Sequence, residues 1–252
     1  MSLSRLKDFT LFQQAVIALA LILALLFGFL FLDPYVFKVT QALPPELRKF
    51  FKAITDIGKS NWMLIPTGAA VALALVLRER CGGLKDSAAY GLIASTIGYV
   101  FVSIGGAGLI ANLTKDILGR ARPTLFDSAG PIDFHLFAFN SDYASFPSGH
   151  ATNIFAFATV IGILLPRARV PLYALAVLIA ASRVLIGQHY MMDVLVGAML
   201  GIVFPYYVRD RFAARRWLFE RDPQGGYRIR GEKTQRRLGW PRLGPRATNQ
   251  TV

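Results

Sequence analysis

Long apolar runs alternate with short basic or polar connections along this chain. Across residues 11–32 no side chain is charged, and the only polar ones are Gln13 and Gln14. A helix needs about 20 apolar residues to cross a bilayer core, and a helix that is apolar on every face is uncommon in water-soluble domains. Similar runs at residues 62–77, 88–110, 151–165, 170–185 and 194–208 bring the expected number of spans to six. The second, fourth, fifth and sixth are short or carry some polar residues. Between the first two, Pro45–Ile54 sets apolar residues at helical spacing with basic residues between them, which predicts an amphipathic helix lying at the membrane interface. The expected fold class is all-α. A polytopic membrane helix bundle occupies residues 1–208, and a basic tail occupies residues 209–252.

Composition sharpens this only slightly. The apolar share is 54%, against about 45–50% in water-soluble domains, so clustering decides the class. Arg5 and Lys7 precede the first run as in a signal peptide, but the run is too long and Asp33-Pro34 offers no small-residue cleavage site. It reads as a retained span. The net charge is +13, and much of the excess follows Tyr207, from Arg209 to Arg246. Beside a final span, that pattern indicates a cytoplasmic tail near anionic lipid rather than a nucleic-acid surface. Cys81 is the single cysteine, which excludes an intramolecular disulfide and a thiolate metal cluster.

Charge also orients the bundle. Arg5 and Lys7, Arg78 with Arg80 and Lys85, Arg167 with Arg169, and the tail all fall on one side, which the positive-inside rule makes cytoplasmic. Lys38, Arg48, Lys49, Lys52 and Lys59 oppose the assignment, but the tail outweighs them. The long connection after the third span and the short one after the fifth then share the outer side.

Three blocks on that side carry chemistry. The first is Lys115-Asp116-Ile117-Leu118-Gly119-Arg120-Ala121-Arg122-Pro123. Lys115 and Arg122 would share a face if the helix continued, although Pro123 biases Arg122 away from helix. An ammonium and a guanidinium fork suit the oxygens of one phosphate. Arg120 is a candidate extra contact, with snorkelling to the interface as the simpler reading. The second block is Pro147-Ser148-Gly149-His150. Ser148 is a candidate helix cap, Gly149 permits close backbone approach, and the free N–H groups of a helix start favour an anion beside His150. The third runs from Ser182-Arg183 through His189 to Asp193. Arg183 near the end of a span is expensive unless paired or functional. His189 and Asp193 are four apart, so a carboxylate there can hold one imidazole nitrogen and leave the other as a nucleophile. A purely structural His–Asp tie is the alternative.

The order Lys-x6-Arg-Pro, Pro-Ser-Gly-His and Ser-Arg-x5-His-x3-Asp resembles the three-part signature of the type 2 phosphatidic acid phosphatase superfamily, shared with bacterial acid phosphatases and vanadium haloperoxidases. Every signature position is matched, and the resemblance covers about residues 88–207. It implies a two-step hydrolysis without metal or cofactor. His189 would attack phosphorus, Asp193 would orient it, and His150 would exchange the proton. Lys115, Arg122, Ser148, the Gly149 N–H and Arg183 would hold the phosphate. The expected partners are a lipid phosphate substrate and membrane lipids. Phosphatidylglycerophosphate, phosphatidic acid, undecaprenyl diphosphate and lipid A 1-phosphate are all allowed by the resemblance. The connection over residues 124–146, with His135, Asp142 and Tyr143, is the candidate for headgroup selection. The expected location is a bacterial cytoplasmic membrane with the site facing outward. The rivals are a lipid-to-lipid phosphotransferase, a non-catalytic transporter or scaffold, and, less compatible with membrane spans, a vanadate-binding oxidase.

Overall fold

The computed structural model describes residues 9–222 and 226–237; Arg5, Lys7, Arg242 and Arg246 of the charge analysis lie outside them. Helix α1 (Leu11–Phe27), a π-helical turn (Gly28–Leu32) and α2 (Asp33–Gln41) form one continuous stretch. This extends the expected first span, because Pro34 does not end it. The Asp33 N–H reaches back to the Gly28 carbonyl at the wider π spacing, and the helix passes through the proline. Helix α3 (Pro45–Ile54) follows, with none of its residues buried. Arg48 turns back to donate to the carbonyls of Thr40 (2.8 Å) and Gln41 (3.0 Å), closing the end of α2.

The bundle proper comprises α4 (Asn61–Arg80), α5 (Leu84–Leu118), α7 (Gly149–Leu164), α8 (Arg169–Leu185) and α9 (Met191–Ala214), with a short α6 (Phe126–Ala129) in the long connection between α5 and α7. Among the described residues, five helical stretches are long and apolar enough to cross a membrane: Leu11–Gln41, Pro45–Arg80, Leu84–Leu118, Pro166–Leu185 and Met191–Ala214. The sixth apolar helix, α7, has only 16 residues. At 1.5 Å per residue it rises about 24 Å, less than the roughly 30 Å of hydrocarbon. It is tolerated because α5, α8 and α9 pack around it, and eleven of its residues are buried.

Close approach is built into α9. A Cβ on Gly197 would meet the Ser148 carbonyl oxygen at 2.6 Å, and one on Gly201 would meet that of Thr152 at 2.4 Å. This Gly-x3-Gly face lets two backbones touch and sets the start of α7 against the start of α9. At the opposite end, β1 (Phe219–Arg221) and β2 (Tyr227–Ile229) pair antiparallel, and α10 (Glu232–Arg237) follows. Leu218, Phe219 and Ile229 pack with Leu92, Tyr99, Val160 and Phe212. The boundary expected at 208/209 therefore falls inside α9, and the described residues after it fold back as a cap.

Candidate active site

Block one is shaped by a glycine. Gly119 ends α5 in the left-handed conformation (φ +54°), and a Cβ there would lie 1.8 Å from the His135 carbonyl oxygen. Only glycine fits. Lys115 therefore sits in the last helical turn while Arg122 reaches the site from an extended loop, in line with the bias of Pro123 against helix at Arg122. Arg122 Nε donates to the Ser141 carbonyl at 2.7 Å, and its Nη1 donates to Gln188 Oε1 at 3.1 Å. Lys115 Nζ is 3.8 Å from where a Gly149 side chain would begin, so that glycine clears space for the ammonium.

Ser148 occupies the N-cap position of α7 without a side-chain capping bond, and its N–H donates to the Asp193 carbonyl at 2.9 Å, tying block two to block three. His150 follows one residue into the helix, and a Cβ on Gly58 would meet its ring at 3.0 Å. Arg183, 8% exposed, donates from Nη1 to Thr55 Oγ1 at 3.1 Å. His150 lies within electrostatic range of Arg183, His189 and Lys115. The fold thus brings together Lys115, Arg183, His150 and His189, with Arg122 entering from the loop beside Gln188.

The nucleophile candidate is held differently from the sequence expectation. His189 Nδ1 lies 2.8 Å from the Ser145 carbonyl oxygen but 3.7 Å from Asp193 Oδ2. The shorter contact is a hydrogen bond and the longer is not. A carbonyl only accepts, so Nδ1 carries the proton and Nε2 keeps its lone pair in the neutral ring. Asp193 acts one step back. Its Oδ2 accepts from Ser145 Oγ (2.6 Å) and from the Tyr190 N–H (2.8 Å). Burial pushes the His189 imidazole down to about 4, although Asp193 pulls the other way. The ring is therefore neutral at neutral pH, the form a nucleophile needs.

Arg120 overturns both readings offered for it. It neither snorkels nor faces a headgroup. Its side chain is fully buried and pairs with Asp193 (2.6 Å) and Asp33 (2.7 Å). Its Nη2 also donates to the Pro131 carbonyl at 2.6 Å, and the Phe29 and Tyr190 rings flank its guanidinium at 4.5 and 4.3 Å. Ser145, Thr55 and Asp33 were missed in the sequence. Asp33 left a signal, since a carboxylate at the end of an otherwise uncharged span is expensive and demands a partner. Ser145 and Thr55 left none.

Among the described residues, Ser148 Oγ, His150 Nε2 and Arg183 Nε are buried without a hydrogen-bond partner. Buried polar atoms are seldom left unpaired. With Lys115 and Arg122 they form a cationic, donor-rich cluster suited to a tetrahedral oxyanion, next to an imidazole with a free Nε2. Such a cluster at one end of a bundle of membrane helices has the chemistry a membrane phosphatase needs.

Comparison with known proteins agrees. The family model described as the PAP2 superfamily matches residues 96–217. The chain is 35% identical over 187 residues to a lipid A 1-phosphatase of Rhizobium johnstonii, covering 72% of this chain and 75% of that protein. A lipid A 1-phosphatase of Rhizobium etli is 34% identical over 187 residues, covering 72% and 78%. Among solved structures, the crystal structure of Aquifex aeolicus LpxE aligns with 70% of this chain and 94% of that chain, at 24% identity and a TM-score of 0.49. The chain belongs to the PAP2 superfamily.

Proposed function

We propose that this protein hydrolyses the terminal phosphate of a membrane lipid at the outer face, through a phosphohistidine on His189, and that a lipid A-type glycosyl 1-phosphate is its substrate. The chemistry rests on one observation above the rest: the Ser145 carbonyl fixes the proton on Nδ1 of His189 and frees Nε2. The substrate rests on the two Rhizobium relatives, which match this chain over 72% of its length.

In the first step the His189 Nε2 lone pair forms a bond to phosphorus. The bond from phosphorus to the lipid oxygen breaks, and the leaving oxygen keeps the electron pair and takes a proton from His150. In the second step His150, now neutral, accepts a proton from water. The oxygen of that water attacks phosphorus, and the phosphorus–nitrogen bond returns its electrons to His189. Lys115, Arg122, Arg183, Ser148 and the Gly149 N–H hold the phosphoryl oxygens throughout. Phosphoryl transfer depends chiefly on such positioning and charge stabilisation. The connection that selects the headgroup is residues 124–146, where His135 packs on Tyr143 (rings 4.4 Å apart) and both lie against Asp133. The described residues up to the end of α9 form the catalytic membrane domain, and those after it form its inner-side extension.

The test is phosphate release by purified full-length protein across a panel of lipid mono- and diphosphates, with and without an acceptor lipid. The expected result is free phosphate without acceptor, greatest with lipid A 1-phosphate, and none with His189→Ala. Normal turnover by that variant would sink the nucleophile assignment. Orientation is read with an impermeant thiol reagent on intact cells. It should reach Ser128→Cys but not the native Cys81, and the opposite pattern would invert the topology.

A further inference from the structure

Three charged side chains lie fully buried behind the nucleophile: Asp33, Arg120 and Asp193. Asp33 does not come from the segment that the family model matches. It stands inside the first membrane helix, directly after its π turn, far from residues 96–217 in sequence. Both its oxygens are used as acceptors, Oδ2 from Arg120 Nη2 and Oδ1 from the Met192 N–H at 2.9 Å. That is the bonding of an ionised carboxylate.

The local backbone is shaped to make this contact. The π turn at Gly28–Leu32 immediately precedes Asp33, and Phe29, one turn before it, stacks on the Arg120 guanidinium. A Cβ on Gly28 would sit 2.3 Å from the Met192 sulfur, so Gly28 lets the Met192 side chain at the start of α9 lie directly against this turn. Over α1 itself no residue is buried. The first span therefore meets the bundle through this end, and what it delivers there is a carboxylate.

The charge balance shows why a second carboxylate matters. Arg120 on Asp193 alone would make a neutral buried pair, and the field of Asp193 at His189 would be largely cancelled. With Asp33 on the other side of the guanidinium, the triad carries one net negative charge. We propose that Asp33 is a positioning residue of the catalytic centre: by holding and neutralising Arg120, it leaves the charge of Asp193 available to the His189 ring as that ring becomes cationic on phosphorylation. The inference rests on the nucleophile assignment made above. A low-dielectric surrounding makes such a compensating charge effective.

The experiment compares wild type, Asp33→Asn and the double variant Asp33→Asn/Arg120→Gln as full-length protein in the same detergent. It measures kcat, KM, the single-turnover rate of phosphoenzyme formation, and inhibition by vanadate and by inorganic phosphate. Vanadate adopts the five-coordinate geometry of the transition state, whereas phosphate reports ground-state binding. For Asp33→Asn the expected fall in kcat is on the order of 10- to 100-fold, the size usual for residues that orient a catalytic ligand from behind. Phosphoenzyme formation should slow and vanadate inhibition weaken by the same factor, while KM and phosphate inhibition stay within about twofold. The double variant removes the positive charge as well, so it should regain kcat relative to the single variant.

Parallel weakening of vanadate and phosphate, or a double variant slower than the single one, would assign the pair to structure alone and overturn the proposal. If Asp33→Asn cannot be recovered folded, the double variant decides by itself. Retention of kcat within about tenfold of wild type supports the proposal, and loss to the level of His189→Ala, or failure to fold, overturns it. Failure of the underlying reading looks different. Wild-type protein would then form no phosphoenzyme at all, whatever residue stands at position 33.

Discussion

Helices α7 and α1 are nearly equal in length, 16 and 17 residues, and both are apolar almost throughout. They nevertheless lie in different solvents. Eleven residues of α7 are buried among other helices, whereas α1 buries none. The difference is written in side-chain size. Helix α7 includes Gly149, Gly162, Thr152, Thr159 and Asn153, whereas α1 has no Gly or Thr and is mostly Leu, Ile, Ala and Phe. In lipid there is little hydrophobic gain from moving a helix against its neighbours, so close backbone packing and internal hydrogen bonds do the work. Thr159 illustrates this, its Oγ1 lying 2.8 Å from Tyr173 Oη on α8. Apolar character puts a helix in the membrane. Small residues and partnered polar ones put it inside the protein.

The largest expected break in the comparison lies where α7 begins. His150→Asn removes the proton carrier and should lower kcat by about 10²- to 10⁴-fold, the range for a lost general acid–base. The same phosphate assay on Leu11→Ala, where α1 begins, should show an unchanged rate. An equal loss at both positions would mean that the first helix does chemistry along its length rather than only at Asp33.

Next in size is packing within α7. Ile154, 2% exposed, belongs to the central cluster with Ile104, Ala107, Ile179 and Ala198. Ile154→Ala leaves a cavity among helices that are already close-packed. The expected cost is about 2 kcal/mol, at the low end of core truncations because lipid rather than water surrounds the separated helix. A lower thermal midpoint in a fixed lipid–detergent mixture checks it. An unchanged midpoint would show that α7 is less tightly held than its burial indicates.

How far the sequence could be read follows the same division. The six apolar runs and the three blocks were legible because each is local: a run of hydrophobic residues, or a motif within twelve positions. Lys115, Ser148, Gly149, His150, Arg183 and His189 could all be named from such patterns. What could not be read was contact between distant segments. Asp33 and Arg120 are 87 positions apart, and Ser145 and Asp193 are 48 apart. No periodicity links them. The end of the first helix was misplaced for a related reason. A proline normally stops a helix, and the π turn that carries the chain through Pro34 has no sequence mark of its own. The cap formed by β1 and β2 was hidden by charge, since its apolar contacts are few and scattered among arginines.

The smallest expected effect tests the lipid-facing half of the comparison. Leu19 on α1 is 56% exposed, and its exposed surface meets the hydrocarbon in which the first span sits. Truncating it to alanine moves no apolar surface into water, because the side chain faces lipid both when the helix is docked and when it is not. It also opens no cavity, since lipid chains fill the space left by the three lost carbon atoms. The usual large-to-small penalty has a transfer part and a cavity part, and neither applies here. Leu19→Ala should therefore change stability by no more than about 0.5 kcal/mol, with phosphate release unaltered, in the same measurements used for Ile154→Ala. A midpoint shift as large as that of Ile154→Ala would show that α1 is packed against protein in the membrane. A second copy of the chain is then the first partner to look for, by cross-linking through a cysteine placed at Leu19.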